Sequence, residues 1–114
     1  MTSLYSNEAG LAVVSSTTTE DSHVLKNAPG VLYDFTVNSG GSALWIMLFD
    51  AIAKPANGSV LPAYAFQVPI NTSLILTFGV TPWRFFTGCT IVASTTGPFT
   101  LTASATASFF GRVS

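Results

Sequence analysis

From residue 31 onward, short apolar runs alternate with turn residues at spacings of about ten positions, which predicts an all-β sandwich or barrel. In "VLYDFTVN", Val31, Tyr33, Phe35 and Val37 fall on one face and Asp34, Thr36 and Asn38 on the other, as in a strand with one side in a core. Ser39-Gly40-Gly41-Ser42 then turns the chain. "AYAFQVPI" aligns Tyr64, Phe66, Val68 and Ile70, "TSLILTFG" aligns Leu74, Leu76 and Phe78, and Asn71-Thr72 connects the two. "WRFFTGCTIVAS" reads as two short strands or one strand bent at Gly88, since glycine inside a strand pattern marks a bulge. In "PFTLTASATASFFGRV" Phe99 and Leu101 are expected to face inward. Of Phe109 and Phe110, one must point away from the core, because neighbouring strand side chains alternate. These runs predict a compact antiparallel β-sandwich or jelly roll of about seven or eight strands, with no helical window.

One run departs from simple alternation. "ALWIMLFD" puts Leu44, Ile46 and Leu48 on one side and Trp45, Met47 and Phe49 on the other, so both faces are apolar. A two-layer sandwich would leave one of these rows in water. The expectation is that one row fills the sandwich and a neighbouring subunit covers the other.

Residues 1–30 are polar and hold four of the nine charges, the only His and the turn-forming Pro29-Gly30, so they read as an arm or irregular lead-in to a sandwich domain at 31–114. A short strand is expected at "LAVV", residues 11–14. The first ten residues show no basic segment followed by a long apolar one, so no export signal is expected. With no export signal, the sequons at Asn57 and Asn71 read as chance matches.

Composition sharpens the expectation about surfaces. Charged residues are 8% of the 114 and apolar residues 48%, with a net charge of −1, so Ser, Thr, Asn and Gly must cover most of the exterior and colloidal repulsion is weak. Part of the apolar surface should therefore be buried against copies of the chain or a partner. The four cations, Lys26, Lys54, Arg84 and Arg112, are too scattered to track a phosphate backbone, which argues against nucleic acid. The longest nearly unbroken apolar run, residues 43–53, falls short of the roughly 20 residues of a membrane helix.

Candidate chemistry is sparse. His23 has Ser22 beside it and Asp21 next along, but adjacency in sequence does not supply triad geometry, and an exposed histidine is expected. Cys89, the single cysteine, reads as a small buried hydrophobe. Glu20 and Asp21 read as a solvated acidic turn, and no metal-ligand spacing or phosphate-binding glycine loop is present. Asp34 and Asp50 are conceivable as a carboxylate pair, although Asp50 is better read as a turn starter that bonds nearby backbone. No catalytic residue, metal or cofactor is expected. The candidates for a subunit interface or a ligand-facing surface are Trp45, Phe49, Trp83, Arg84, Phe109 and Phe110, with Trp83 and Tyr64 as the aromatics on which a glycan would stack.

The stretch from Val31 to about Thr96 resembles small β-sandwich virion proteins of tailed bacteriophages. The resemblance is carried by Leu48-Phe49-Asp50 at a strand end, the Pro/Gly loop from Ala53 to Pro62, the alternating strand Ala63 to Pro69, and the step from Phe85 to Ile91. Cys89 and Val92 depart from the family's Gly-Ile step, and the segment from Phe99 to Phe110 has no counterpart in it. The resemblance implies a non-enzymatic virion component made in the host cytoplasm: a capsid decoration or cement protein, assembled as a homotrimer or other cyclic oligomer on the major capsid or another structural protein. In that role the polar arm would order against the shell. The alternative it implies is a carbohydrate- or receptor-binding module of a head or tail fibre.

Overall fold

The structure, a computed structural model, describes residues 12–114. Among them run β1 (Ala12–Ser15), β2 (Ser22–Lys26), β3 (Gly30–Asn38), β4 (Leu44–Phe49), β5 (Gly58–Ser59), β6 (Tyr64–Val68), β7 (Ser73–Thr77), β8 (Trp83–Phe85), β9 (Cys89–Ser94), β10 (Thr100–Leu101) and β11 (Ser108–Val113). Sheet I has the order β1-β11-β3-β7, with β8 also pairing β3, and sheet II has the order β2-β9-β4-β6. Every ladder is antiparallel. The pairs β1/β11, β2/β9, β3/β7 and β4/β6 nest one inside the next along the chain, which is the winding of a jelly roll.

The core lies between the sheets. Phe35 and Val37 of β3 and Phe109 of β11 meet Leu44, Ile46 and Leu48 of β4 and Ile91 and Ala93 of β9. The inward set of β3 changes phase at Tyr33. Arg112 opposes Asp34 but Val113 opposes Leu32, leaving Tyr33 as an extra residue, a β-bulge. Leu32 is fully buried, whereas Val31 and Tyr33, expected inside, are only half-buried. The bulge sits where the partner of β3 changes from β7 to β8, and the Tyr33 carbonyl accepts the N–H of Phe78 in the gap.

The second apolar face of β4 finds its cover inside the same chain. β5 and β10 pair as a two-stranded ribbon over the outer face of sheet II. Met47, Phe49 and Val92 pack there against Leu101, flanked by Trp45, Val60 and Ala65. Burying four such side chains stabilises by roughly 1.5–3 kcal/mol each. The ribbon is also tied down by polar bonds. Ser94, fully buried on β9, receives the N–H groups of Thr96 and Thr102 (3.2 and 2.9 Å), and Asn57 Oδ1 accepts the N–H of Ala103 at 3.2 Å. Leu101 is buried as expected, but in this outer layer, and Phe99 is 61% exposed rather than inward, since β10 begins only at Thr100 and the strand alternation does not reach it.

The lead-in is also more ordered than expected. Residues 12–26 supply β1 and β2, one edge strand of each sheet, so the jelly roll begins before residue 31. In β2 only Leu25 is buried, and the pairing with β9 slips around it, from Val24 opposite Thr90 to Lys26 opposite Cys89. One inward side chain leaves almost no alternation to detect. The expectations about residues 1–11, the outer part of the arm and the absent export signal, lie outside the described residues.

Candidate functional site

The six residues singled out from the sequence do not converge. Phe49 (7% exposed) and Phe109 (3%) are core side chains of the outer and inner layers, which removes them as ligand-facing candidates. Trp83 is half-buried on β8, near-perpendicular to Tyr64 at 5.7 Å and tilted against Phe85 at 5.6 Å, within an aromatic cluster that also takes in Phe66 and Phe78. Arg84 and Phe110 are exposed on sheet I, and Trp45 lies on the outer face of sheet II.

The polar groups pair with one another. His23 Nδ1 lies 2.9 Å from Glu20 Oε2, Ser22 donates to Asp21 at 3.1 Å, and Lys54 bonds Asp21 at 2.7 Å, so Ser22, His23 and Asp21 make no triad. The Lys54 bond holds the Asp21 carboxyl below its ordinary pKa. Asp34 and Asp50 do not pair. Asp34 accepts from Arg112 Nε at 2.8 Å across β3 and β11, and this bond raises the Arg112 pKa.

Asp50 caps a distant turn. Its carboxylate accepts the N–H groups of Phe86 (2.9 Å), Thr87 (2.7 Å) and Gly88 (3.2 Å), three successive donors converging on one anion. These bonds, Phe86 first, lower its pKa. The approach requires Gly88, because a Cβ there would stand 2.8 Å from the carbonyl oxygens of both Ala51 and Lys26. Asp50 thus closes the turn from β8 in sheet I to β9 in sheet II. Cys89, next along, is fully buried, and burial together with the Asp50 charge pushes its thiol up to about 12. Such a thiol is a hydrophobe and not a nucleophile. Among the described residues, no group of three or more His, Cys, Asp or Glu side chains could hold a metal ion.

What the surface offers is contact area. Eleven large apolar side chains of the described residues stand exposed. On sheet I, the register sets Ser15, Phe110, Thr36 and Ile75 in one row and Val13, Arg112, Asp34 and Thr77 in the next. Phe110 (46% exposed) and Ile75 (71%) thus flank Thr36 on an open sheet face, beside the Asp34–Arg112 pair. On sheet II, a groove of about 480 Å³ runs between Trp45, Gln67, Pro69 and Thr95. Sequence reasoning named Trp45 but missed Gln67, its direct cross-strand partner, because strand register is not written in either strand alone.

Comparison of the chain with protein-family models, with curated proteins and with solved structures returns no match.

Proposed function

We propose that this protein is a non-enzymatic virion structural protein, a capsid decoration or cement subunit of the tailed-phage kind, working as a homotrimer or other cyclic oligomer on a shell protein. The observation that carries the reading is the exposure of large apolar side chains on a self-sufficient jelly roll: Phe110 and Ile75 on sheet I, and Leu61, Val80 and Phe86 on connections. A fold whose own layers are closed gains nothing internally from these residues, and a contact with another protein buries them. Asp21, Asp34, Asp50, Lys54 and Arg112 support the same reading, because they are engaged in a turn cap and ion pairs that serve the fold. A subunit that binds the assembled shell and not its dispersed parts raises shell stability by mass action.

Light scattering and a shell-binding assay test this. A cyclic oligomer that co-sediments with capsids and raises their melting temperature is expected; a monodisperse monomer without affinity for a shell sinks the idea. Deleting residues 2–10, which leaves every described strand intact, tests the arm separately. Unchanged occupancy and particle stability afterwards take it out of the mechanism.

A further inference from the structure

The outer face of sheet II is not roofed along its whole length. In the row Ala65, Met47 and Val92, set by the β6-β4-β9 register, Leu101 and Val60 of the ribbon close over the side chains. The next row is Gln67, Trp45 and Ser94, and here the cover stops partway. Gly97 lies against the indole, and a Cβ at that position would stand 2.6 Å from Trp45 Cγ and 2.8 Å from Cδ2. Beyond Gly97, what remains accessible of the indole borders the groove of about 480 Å³. That volume lies within the roughly 300–1,000 Å³ of small-molecule sites.

The groove's chemistry is specific. Gln67 stands exposed beside the indole, and among the described residues its carboxamide makes no hydrogen bond, leaving two donors and an acceptor free. The Thr95 hydroxyl on the far wall is committed only to a 3.5 Å contact with the Thr102 carbonyl. Among the described residues, no charged side chain borders the groove. A half-buried indole with an uncommitted amide in register and a hydroxyl opposite matches a ligand that presents a C–H face and a rim of hydroxyls. The weakly positive C–H groups meet the negative π face while the hydroxyls bond the amide and the threonine.

We propose that this groove binds a neutral saccharide, with one sugar ring stacked on Trp45 and its hydroxyls bonded to Gln67 and Thr95. With no cation among its described lining residues, the groove suits a neutral sugar better than an acidic one. The proposal moves the stacking platform from Trp83, which packs within an aromatic cluster beside Tyr64 and Phe85, to Trp45. It does not depend on the virion reading.

The test uses the full-length protein in its native assembly. An array of neutral oligosaccharides (β-glucans, chitooligosaccharides and galactosides) identifies the retained sugar, which is then titrated by calorimetry. Trp83→Phe leaves Trp45 as the only indole, and its fluorescence is expected to change with sugar. Gln67→Ala, at an exposed position without internal bonds, is expected to weaken binding about tenfold with unchanged circular dichroism and melting. Trp45→Phe, which keeps a ring against Gly97, is expected to weaken it as well. Retention of no neutral sugar at millimolar concentration overturns the proposal, as does binding indifferent to Gln67→Ala and Trp45→Phe. A Trp45 signal that follows protein concentration and not sugar also overturns it, since a second copy would then fill the groove.

Discussion

On sheet II the outward side chains of the central strands include Met47, Phe49 and Val92, and the chain returns twice, through β5 and β10, to cover them. On sheet I the outward positions of the central strands are Asp34, Thr36, Phe110 and Arg112, and they remain at least partly open. An apolar strand face obliges a second layer, but it does not say who supplies it. Here the chain supplies its own, so the two-sided apolarity of β4 is no argument for a partner. The argument passes to the other sheet, where a polar pattern would have sufficed and Phe110 and Ile75 stand exposed nonetheless.

The largest expected effect tests whether the ribbon belongs to the cooperative fold. Leu101→Ala removes a fully buried side chain from the outer layer and should cost about 2–5 kcal/mol in chemical denaturation. Ile75→Ala on the open sheet should stay within about 0.5 kcal/mol. Near-equal effects would erase the distinction between the faces.

A second contrast concerns the loop that leaves sheet II for the ribbon. Asp50→Ala frees three N–H groups at the β8–β9 turn and should cost about 1–2 kcal/mol. The pH dependence has a definite sign. The folded carboxyl has a pKa below its ordinary 3.8, so the unfolded chain binds the proton more readily. Its contribution is complete above that value and drains away as pH falls through the folded pKa. Asp21, held low by Lys54, acts in the same direction. Denaturation midpoints measured from pH 7 to pH 2 should therefore fall on acidification, and less steeply in Asp50→Ala.

These contrasts also show what the sequence carried. The sandwich class was legible because period-two alternation survives in β6 and β7, and the Ser39–Ser42 and Asn71–Thr72 turns fall where strands end. The division of Trp83–Phe85 and Cys89–Ser94 into two strands was half legible. Gly88 marked the break, but nothing local said that Asp50, thirty-six residues before Phe86, caps the turn. The phase change at Tyr33 was hidden because a bulge depends on the partner strand. The ribbon was hidden because β5 and β10 are two residues long and their loops read as Pro/Gly and Thr-rich coil. For the candidate groove, Trp45 was visible by type, but its companions Gln67 and Thr95 come from other segments and share a wall only after folding.

Cys89 offers a smaller effect that reports on the inner layer shared by both faces. Burial holds its thiol at about 12 against an ordinary 9.0, so the folded state keeps the proton more tightly than the unfolded one. That contribution is complete below about 9 and is lost as pH rises toward 12. At pH 8 a thiol reagent should label the protein only as fast as it unfolds, with a rate that climbs with denaturant. Labelling in buffer at the speed of a free thiol would falsify the burial of β9.

The smallest expected effect on the isolated fold carries the most weight for assembly. Asp34 and Arg112 are 25% and 41% exposed, and removing such a pair by Arg112→Ala should cost only about 0.2–1 kcal/mol in dilute, monomeric protein. If the open face of sheet I is where copies or a shell protein dock, the same substitution acts a second time, because the pair sits one row from Phe110 and Ile75 and becomes desolvated with them. Sedimentation should then show association weakened several-fold while the denaturation midpoint barely moves. Equal, small changes in both would place the contact elsewhere and leave the two outer faces alike in exposing nothing that a partner uses.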